Sequence, residues 1–265
     1  MRRAALVTLL AVTAMMLGAD VFVGYKYDQQ SRDEISVRPS WSHPLGTDKV
    51  GRDRVSRLLY GGRISIILAP AAALLSVAVA LAAALSAVLV GGWWRGVARV
   101  MIDLVLSLPW LFLLLAVRAL LPLNTSPAAS VAAIFAVLGL LGWAGPARVL
   151  MAAAERQLRS DHIIFARASG VSPWRLVAFH LVPNLRPVVW AQLWITIPAF
   201  LLSEANLAVL GLGVCEPMPS WGSLLREMQD AGAVRREPWV AAPLILLVIA
   251  LSCCQWAWPA DECSI

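Results

Sequence analysis

Long apolar runs alternate with polar segments along this chain, and the alternation predicts an all-α protein threaded through a bilayer. The first run covers residues 4–23, follows Arg2 and Arg3, and carries no charge before Asp20. Later runs fall at about residues 64–90, 100–121, 128–143, 188–214 and 239–258, most of them near the roughly 20 residues a helix needs to cross hydrocarbon. About six transmembrane helices place both termini on one side. The expected division is a first transmembrane helix over 1–24, an outer loop over 25–62, a five-helix core over 63–258 and a short tail over 259–265. The first run also has the small residues Leu17-Gly18-Ala19 of a cleavable leader. Because later spans need an orienting helix, it is read as uncleaved, with its N-terminus inside.

Within the spans, small and charged residues make separate statements. The alanine-rich second run suits a helix packed inside a bundle, where small residues let backbones approach. Asp103 and Arg118 lie at opposite ends of the third run, within reach of an interface, so both are expected to snorkel and anchor. Trp41, Trp93, Trp94, Trp143, Trp239, Trp256 and Trp258 fall near span ends and form an interfacial belt. Glu204, in the fifth run, is the intramembrane carboxylate with most to explain. Lining of a translocation path and a buried hydrogen bond to a neighbouring helix both account for it.

Residues 148–187 are the longest polar stretch in the second half of the chain, and residues 215–238 are polar again. The longer stretch carries Arg148, Arg156, Arg159, Arg167, Arg175 and Arg186 against Glu155 and Asp161. An excess of arginine beside spans, here and at Arg2, Arg3, Arg95 and Arg99, places this loop in the cytoplasm. The first outer loop also holds basic residues from Lys26 to Arg63, but Asp28, Asp33, Glu34, Asp48 and Asp53 offset them, and long loops constrain orientation less. Inside the basic loop, residues 152–158 and 163–168 suit helix. Gly170 breaks the pattern, Ser172-Pro173 supplies a cap and a first-position proline, and residues 174–181 resume the helix. A projecting helix-break-helix hairpin and an ordinary solvated loop both fit this spacing.

Composition narrows the function classes. Hydrophobic residues make up 60% and charged residues 14% of the chain, with mean hydropathy +0.73, outside the range of soluble domains. The net charge of +6 and pI near 9.7 do not indicate nucleic acid, because the arginines are dispersed between membrane runs. Cys215, Cys253, Cys254 and Cys263 form no CxxC pair and share no ligand spacing with His43, His162 or His180, so neither a disulfide framework nor a metal site is expected. The chain lacks a phosphate-cradling GxxxxGK[ST] loop, an HExxH motif and a nucleophile elbow. No catalytic residue or cofactor is assigned, and any ATP hydrolysis falls to another polypeptide.

Three ordered stretches give the chain a family likeness. The first is His43-Pro44-Leu45-Gly46-Thr47-Asp48, Gly51-Arg52-Asp53, Ser56-Arg57-Leu58-Leu59-Tyr60-Gly61 and Arg63-Ile64-Ser65. The second is Ala166-Arg167-Ala168-Ser169-Gly170 followed by His180-Leu181-Val182-Pro183-Asn184. The third is Glu204 with Leu210-Gly211-Leu212-Gly213-Val214 and Pro217-Met218-Pro219-Ser220-Trp221-Gly222. Together they resemble the inner-membrane permease subunits of ABC importers, in the second-permease form of the oligopeptide, dipeptide and nickel branch. Two departures accompany the likeness. Ile164-Phe165-Ala166 stands where the family carries Glu-Ala-Ala, and the tail from Trp258 to Cys263 replaces a charged tail containing Asp-Pro.

The resemblance implies a type I ABC importer permease fold in the bacterial cytoplasmic membrane, multi-pass with both termini cytoplasmic. It implies import of di- or oligopeptides, or of a small cargo such as nickel, with a homologous second permease subunit, two cytoplasmic ATPase subunits and an extracytoplasmic substrate-binding protein as partners. Ala166, Arg167, Gly170, His180, Pro183 and Asn184 would form the ATPase-docking coupling loop, with Pro183 ending the hairpin before the fifth span. The first outer loop would cap the path or receive the binding protein. Its Gly51-Arg52-Asp53 and Arg57 equally suit local turns and ion pairs. A membrane scaffold that recruits cytoplasmic partners without transport is the alternative from another class.

Overall fold

The structure, a computed structural model, describes residues 2–120 and 126–257. The expected turn at 121–125 and the tail beyond 257, with Trp258 and Cys263, lie outside the described residues. Helix accounts for nearly all the regular structure, and the extended backbone forms only an isolated bridge between Thr47 and Asp53 among the described residues.

The chain climbs through α1 (Arg2–Leu17) and the short α2 (Ala19–Phe22), then folds irregularly over residues 23–53. It descends through α3 (Arg54–Val90) and rises again through α4 (Gly92–Ser107) and α5 (Trp110–Leu120). α6 (Pro127–Leu141) and α7 (Ala144–Gln157) bring it down to a hairpin of α8 (Asp161–Ala168) and α9 (Pro173–Leu176). α10 (Val182–Val209) returns to the first end, where α11 (Trp221–Arg226) and α12 (Ala231–Arg236) lead into the descending α13 (Ala242–Ala257). Among the described residues, four helical stretches are long and apolar enough to cross a membrane, with a fifth if the bent α4–α5 pair counts as one span. α1 is a shorter apolar helix beside them.

Several boundaries differ from the sequence reading, each for a local reason. α3 starts ten residues before the expected 64 because Asp53 caps it, its carboxylate accepting a hydrogen bond from the Ser56 amide at 2.7 Å. At 37 residues it is about 55 Å long, well beyond a hydrocarbon core of about 30 Å. The third span is bent by 87° between α4 and α5. Leu108 takes an extended conformation there, as a residue before proline prefers. The expected return at Gly145-Pro146 is helical, so the first quarter of the polar segment is the lower end of a descending helix.

Packing centres on α3, against which α6, α7 and α10 all lie. Its buried face is a row of small residues, Ala69, Ala72, Ala73, Ser76, Ala80, Ala84 and Ala87, which lets the neighbouring backbones come close. At Gly139 of α6, an added Cβ would stand 3.0 Å from the Ala72 carbonyl oxygen.

Arg118 is not placed as expected. It is 1% exposed and turned inward, where its Nε donates to the Leu212 carbonyl at 3.2 Å and a terminal nitrogen donates to the Ser130 hydroxyl at 3.4 Å. A guanidinium can satisfy itself on carbonyl and hydroxyl oxygens without reaching the interface. Asp103 behaves differently, being exposed and ion-paired with Arg148 of α7.

Candidate functional site

The features that carry chemistry lie at the two ends of α3 and α10. At one end is the hairpin formed by α8 and α9. Ala154, Ile163, Leu176, Val177, Leu181 and Leu185 form a small core there, joined by Leu81, Leu85, Val88 and Leu89 from the lower end of α3. The segment is therefore a folded unit seated on the bundle, not a solvated loop.

Backbone geometry sets its turn. The Gly170 amide donates to the Arg167 carbonyl at 3.1 Å and the Val171 amide to the Ala166 carbonyl at 3.2 Å, the paired bonds that close a helix through a left-handed residue. Gly170 supplies that residue at φ +83°, and an added Cβ would meet nothing within 4 Å. The same paired bonds end α10, with Gly211 at φ +83°. Glycine is needed at both places for its conformation.

The other expected hairpin residues spread over this unit. Ala166 is buried, and Arg167 beside it is exposed. The Asn184 amide nitrogen lies 3.2 Å from His162 Nε2, tying the first turn of α10 to α8. His180 is half-buried within a π-helical turn, Val177–Leu181. Pro183 does not end the hairpin: helix runs without a break over Pro173–Val209. The π turn widens the ladder immediately before Pro183, where the ring would otherwise press on the carbonyl four residues back. Around this frame Ile164, Phe165, Trp174 and Phe179 are 54% to 76% exposed, an apolar set flanked by Arg167 and Arg175. The sequence signal for this face is large apolar side chains inside an otherwise basic stretch.

At the opposite end the first polar loop and the segment after α10 form one cap. Arg57 donates to Asp48 at 2.7 Å and to Glu216 at 2.8 Å, and Arg52 pairs with the second Glu216 oxygen. Arg54 donates to Glu227 at 2.7 Å and Glu237 at 2.9 Å. Asp48 also accepts from the Val50 and Arg52 amides, and Asp53 lies 2.9 Å from His43 Nδ1. The motif residues thus make both the local turns and the ion pairs, but their acidic partners include groups far along the chain. Burial raises the Glu227 carboxyl above the ordinary range, with Arg54 and Arg57 pulling it part of the way back.

The third motif explains how the cap grips the bundle. Ser220, Trp221 and Gly222 pass between α3 and α10. An added Cβ on Gly61 would stand 3.2 Å from Ser220 backbone, one on Gly62 2.8 Å from Trp221, and one on Gly222 2.8 Å from the Ala205 Cα. Glu204, 1% exposed, receives the Ser220 hydroxyl at 2.7 Å and the Gly222 amide at 3.4 Å. Within this chain its carboxylate faces the cap segment.

Residues 76–254 match the family described as the binding-protein-dependent transport system inner membrane component. The oligopeptide transport system permease protein OppC of Escherichia coli K12 is 32% identical over 253 residues, covering 94% of this chain and 81% of that protein. OppC of Haemophilus influenzae is 28% identical, with 94% and 79% covered. The dipeptide transport system permease protein DppC of Bacillus subtilis 168 is 28% identical over 199 residues, covering 75% of this chain and 60% of that protein.

Proposed function

The chain belongs to the family of binding-protein-dependent transport system inner membrane components, and on that premise we propose that it is the permease through which di- or oligopeptides enter the cell. It is a multi-pass membrane permease. The hairpin end and both described termini face the cytoplasm, and the cap faces outward, in keeping with the arginines of α7 to α9. ATP hydrolysis belongs to two partner subunits, and a second, homologous permease subunit completes the path. An extracytoplasmic binding protein delivers cargo at the cap.

The observation that carries this reading is the hairpin packed onto the lower end of α3, at the foot of a helix that runs up to the cap segment. Ala166, Arg167, Gly170, His180, Pro183 and Asn184 build the hairpin and its junction with α10. Ile164, Phe165, Trp174 and Phe179 offer ATPase subunits an apolar contact face. A movement imposed there passes along about 55 Å of helix, since Pro173–Val209 spans 37 residues. Coupling requires this contact to differ in free energy between the states of the ATPases. Glu204 acts at the far end by fixing the cap segment to α10.

The test is uptake of labelled di- and oligopeptides by vesicles carrying the assembled importer. Phe165→Asp and Trp174→Asp should abolish ATP-dependent uptake and ATPase retention while membrane insertion is preserved. Unchanged uptake in both variants would remove the hairpin as the coupling site. ATPase retention without uptake of any peptide or nickel would favour a scaffold.

A further inference from the structure

His43 is buried in the cap, and both nitrogens of its ring lie against carboxylates. Nδ1 is 2.9 Å from Asp53 Oδ1, and Nε2 is 3.4 Å from Glu34 Oε2. Asp53 is also the cap of α3, its second oxygen accepting from the Ser56 amide at 2.7 Å and the Ser56 hydroxyl at 2.8 Å. Glu34 sits in the irregular segment before α3 and is half-exposed, and its carboxylate has no other partner among the described residues. Tyr25 lies over the imidazole, with ring centroids 4.7 Å apart. The charged groups Asp48, Arg52, Arg57 and Glu216 of the same cap are bonded to one another.

An ionised carboxylate only accepts hydrogen bonds, and a neutral imidazole has one N–H to give. With that hydrogen on Nδ1, where Asp53 takes it, the Nε2 lone pair confronts the Glu34 oxygens, and Nε2 is buried without a hydrogen-bond partner. A proton on Nε2 turns the same contact into a charge-assisted hydrogen bond. Imidazoles change charge between about pH 5 and 8, where carboxylates ordinarily stay ionised. We propose that His43 is a proton-operated latch, fastening the Glu34 segment to the start of α3 as imidazolium and releasing it when neutral. Backbone bonds from the Ser36 amide to the Asp48 carbonyl and from the Thr47 amide to the Val37 carbonyl, each 3.1 Å, hold the segment only at its far end. Release therefore loosens this stretch and leaves α3 in place. The outward placement of the cap proposed above makes the latch a reader of pH outside the cell, while its chemistry is independent of the cargo.

The latch is tested by hydrogen–deuterium exchange of the full-length chain in lipid nanodiscs at pH about 8 and about 5.5, either side of the ordinary histidine range, with rates corrected for the intrinsic effect of pH. The reporter is the peptide over residues 31–37, in which the Glu34 and Ser36 amides donate to the Ser31 and Asp48 carbonyls. Its protection in the wild type should rise several-fold at the lower pH. Glu34→Gln brings an amide N–H that the neutral Nε2 accepts, so protection should be high at both values. His43→Gln should remove the dependence on pH. Protection in the wild type that does not change with pH would overturn the proposal, as would a rise that persists in His43→Gln and so belongs to another group. If His43→Gln does not fold, Glu34→Gln decides alone: an undiminished rise in that variant overturns the latch.

Discussion

Ser220 donates its hydroxyl hydrogen bond to Glu204 at 2.7 Å, so a carboxylate on a membrane helix and a serine of the cap segment form one buried unit. Glu204→Leu leaves that hydroxyl and the Gly222 amide without an acceptor, at about 1–3 kcal/mol each. A marked fall in Tm in detergent is expected. Glu204→Gln keeps an acceptor and should retain most of the stability and the uptake. If Glu204→Gln is stable but inactive in vesicle uptake, the carboxylate has a role in the path beyond anchoring.

Gly222 has no room for a methyl group, since its Cβ would fall 2.8 Å from the Ala205 Cα. Gly222→Ala should therefore cost about 1–3 kcal/mol through overpacking. Thermal unfolding followed by tryptophan fluorescence checks it. Gly96→Ala is the matching control, because nothing lies within 4 Å there.

Gly170 makes the opposite case, with open space but a positive φ. Gly170→Val should strain the turn by about 1–2 kcal/mol and reduce ATP-dependent uptake. Gly170→Asn, which tolerates the left-handed region, should be much milder. Equal activity of the two variants in vesicles would show that this turn does not transmit force.

Arg54 holds Glu227 and Glu237 together, all three groups being largely removed from water. Arg54→Met should destabilise the cap by on the order of 2 kcal/mol. Combining it with Glu227→Gln should recover part of the loss in a double-mutant cycle.

The same site has a pH signature. Burial raises the folded Glu227 carboxyl, so the protein gains stability from Glu227 as pH falls towards the unfolded carboxylate range and loses it as pH rises through the folded value. Relative to Glu227→Gln, the wild type should gain stability on acidification from pH about 7 to about 4.5. A difference in Tm that does not change with pH would contradict the buried state of this group.

The apolar runs made the membrane class legible, and Gly170 with Ser172-Pro173 marked the hairpin turn correctly. Hydropathy placed the start of α3 too late, because Arg54, Ser56 and Arg57 read as loop when considered alone. Their helical state follows from the Asp53 cap and from carboxylates supplied far along the chain. Pro183 read as a stop for a similar reason: a widened helical turn that absorbs a proline leaves no periodic trace. Arg118 read as an anchor because its oxygen partners belong to a backbone carbonyl and a serine, which charge pairing does not reveal.

The ion pairs of the cap also impose an order on biosynthesis. Arg57 leaves the ribosome 159 residues ahead of Glu216, and Arg54 precedes Glu237 by 183. At roughly 5–20 residues per second, the arginines wait on the order of 10 s or more for their partners. The cap is therefore among the last parts to close. A chain truncated before residue 216 would leave three arginines without those carboxylates, a defect that a quality-control protease could detect while the upper membrane helices are already inserted.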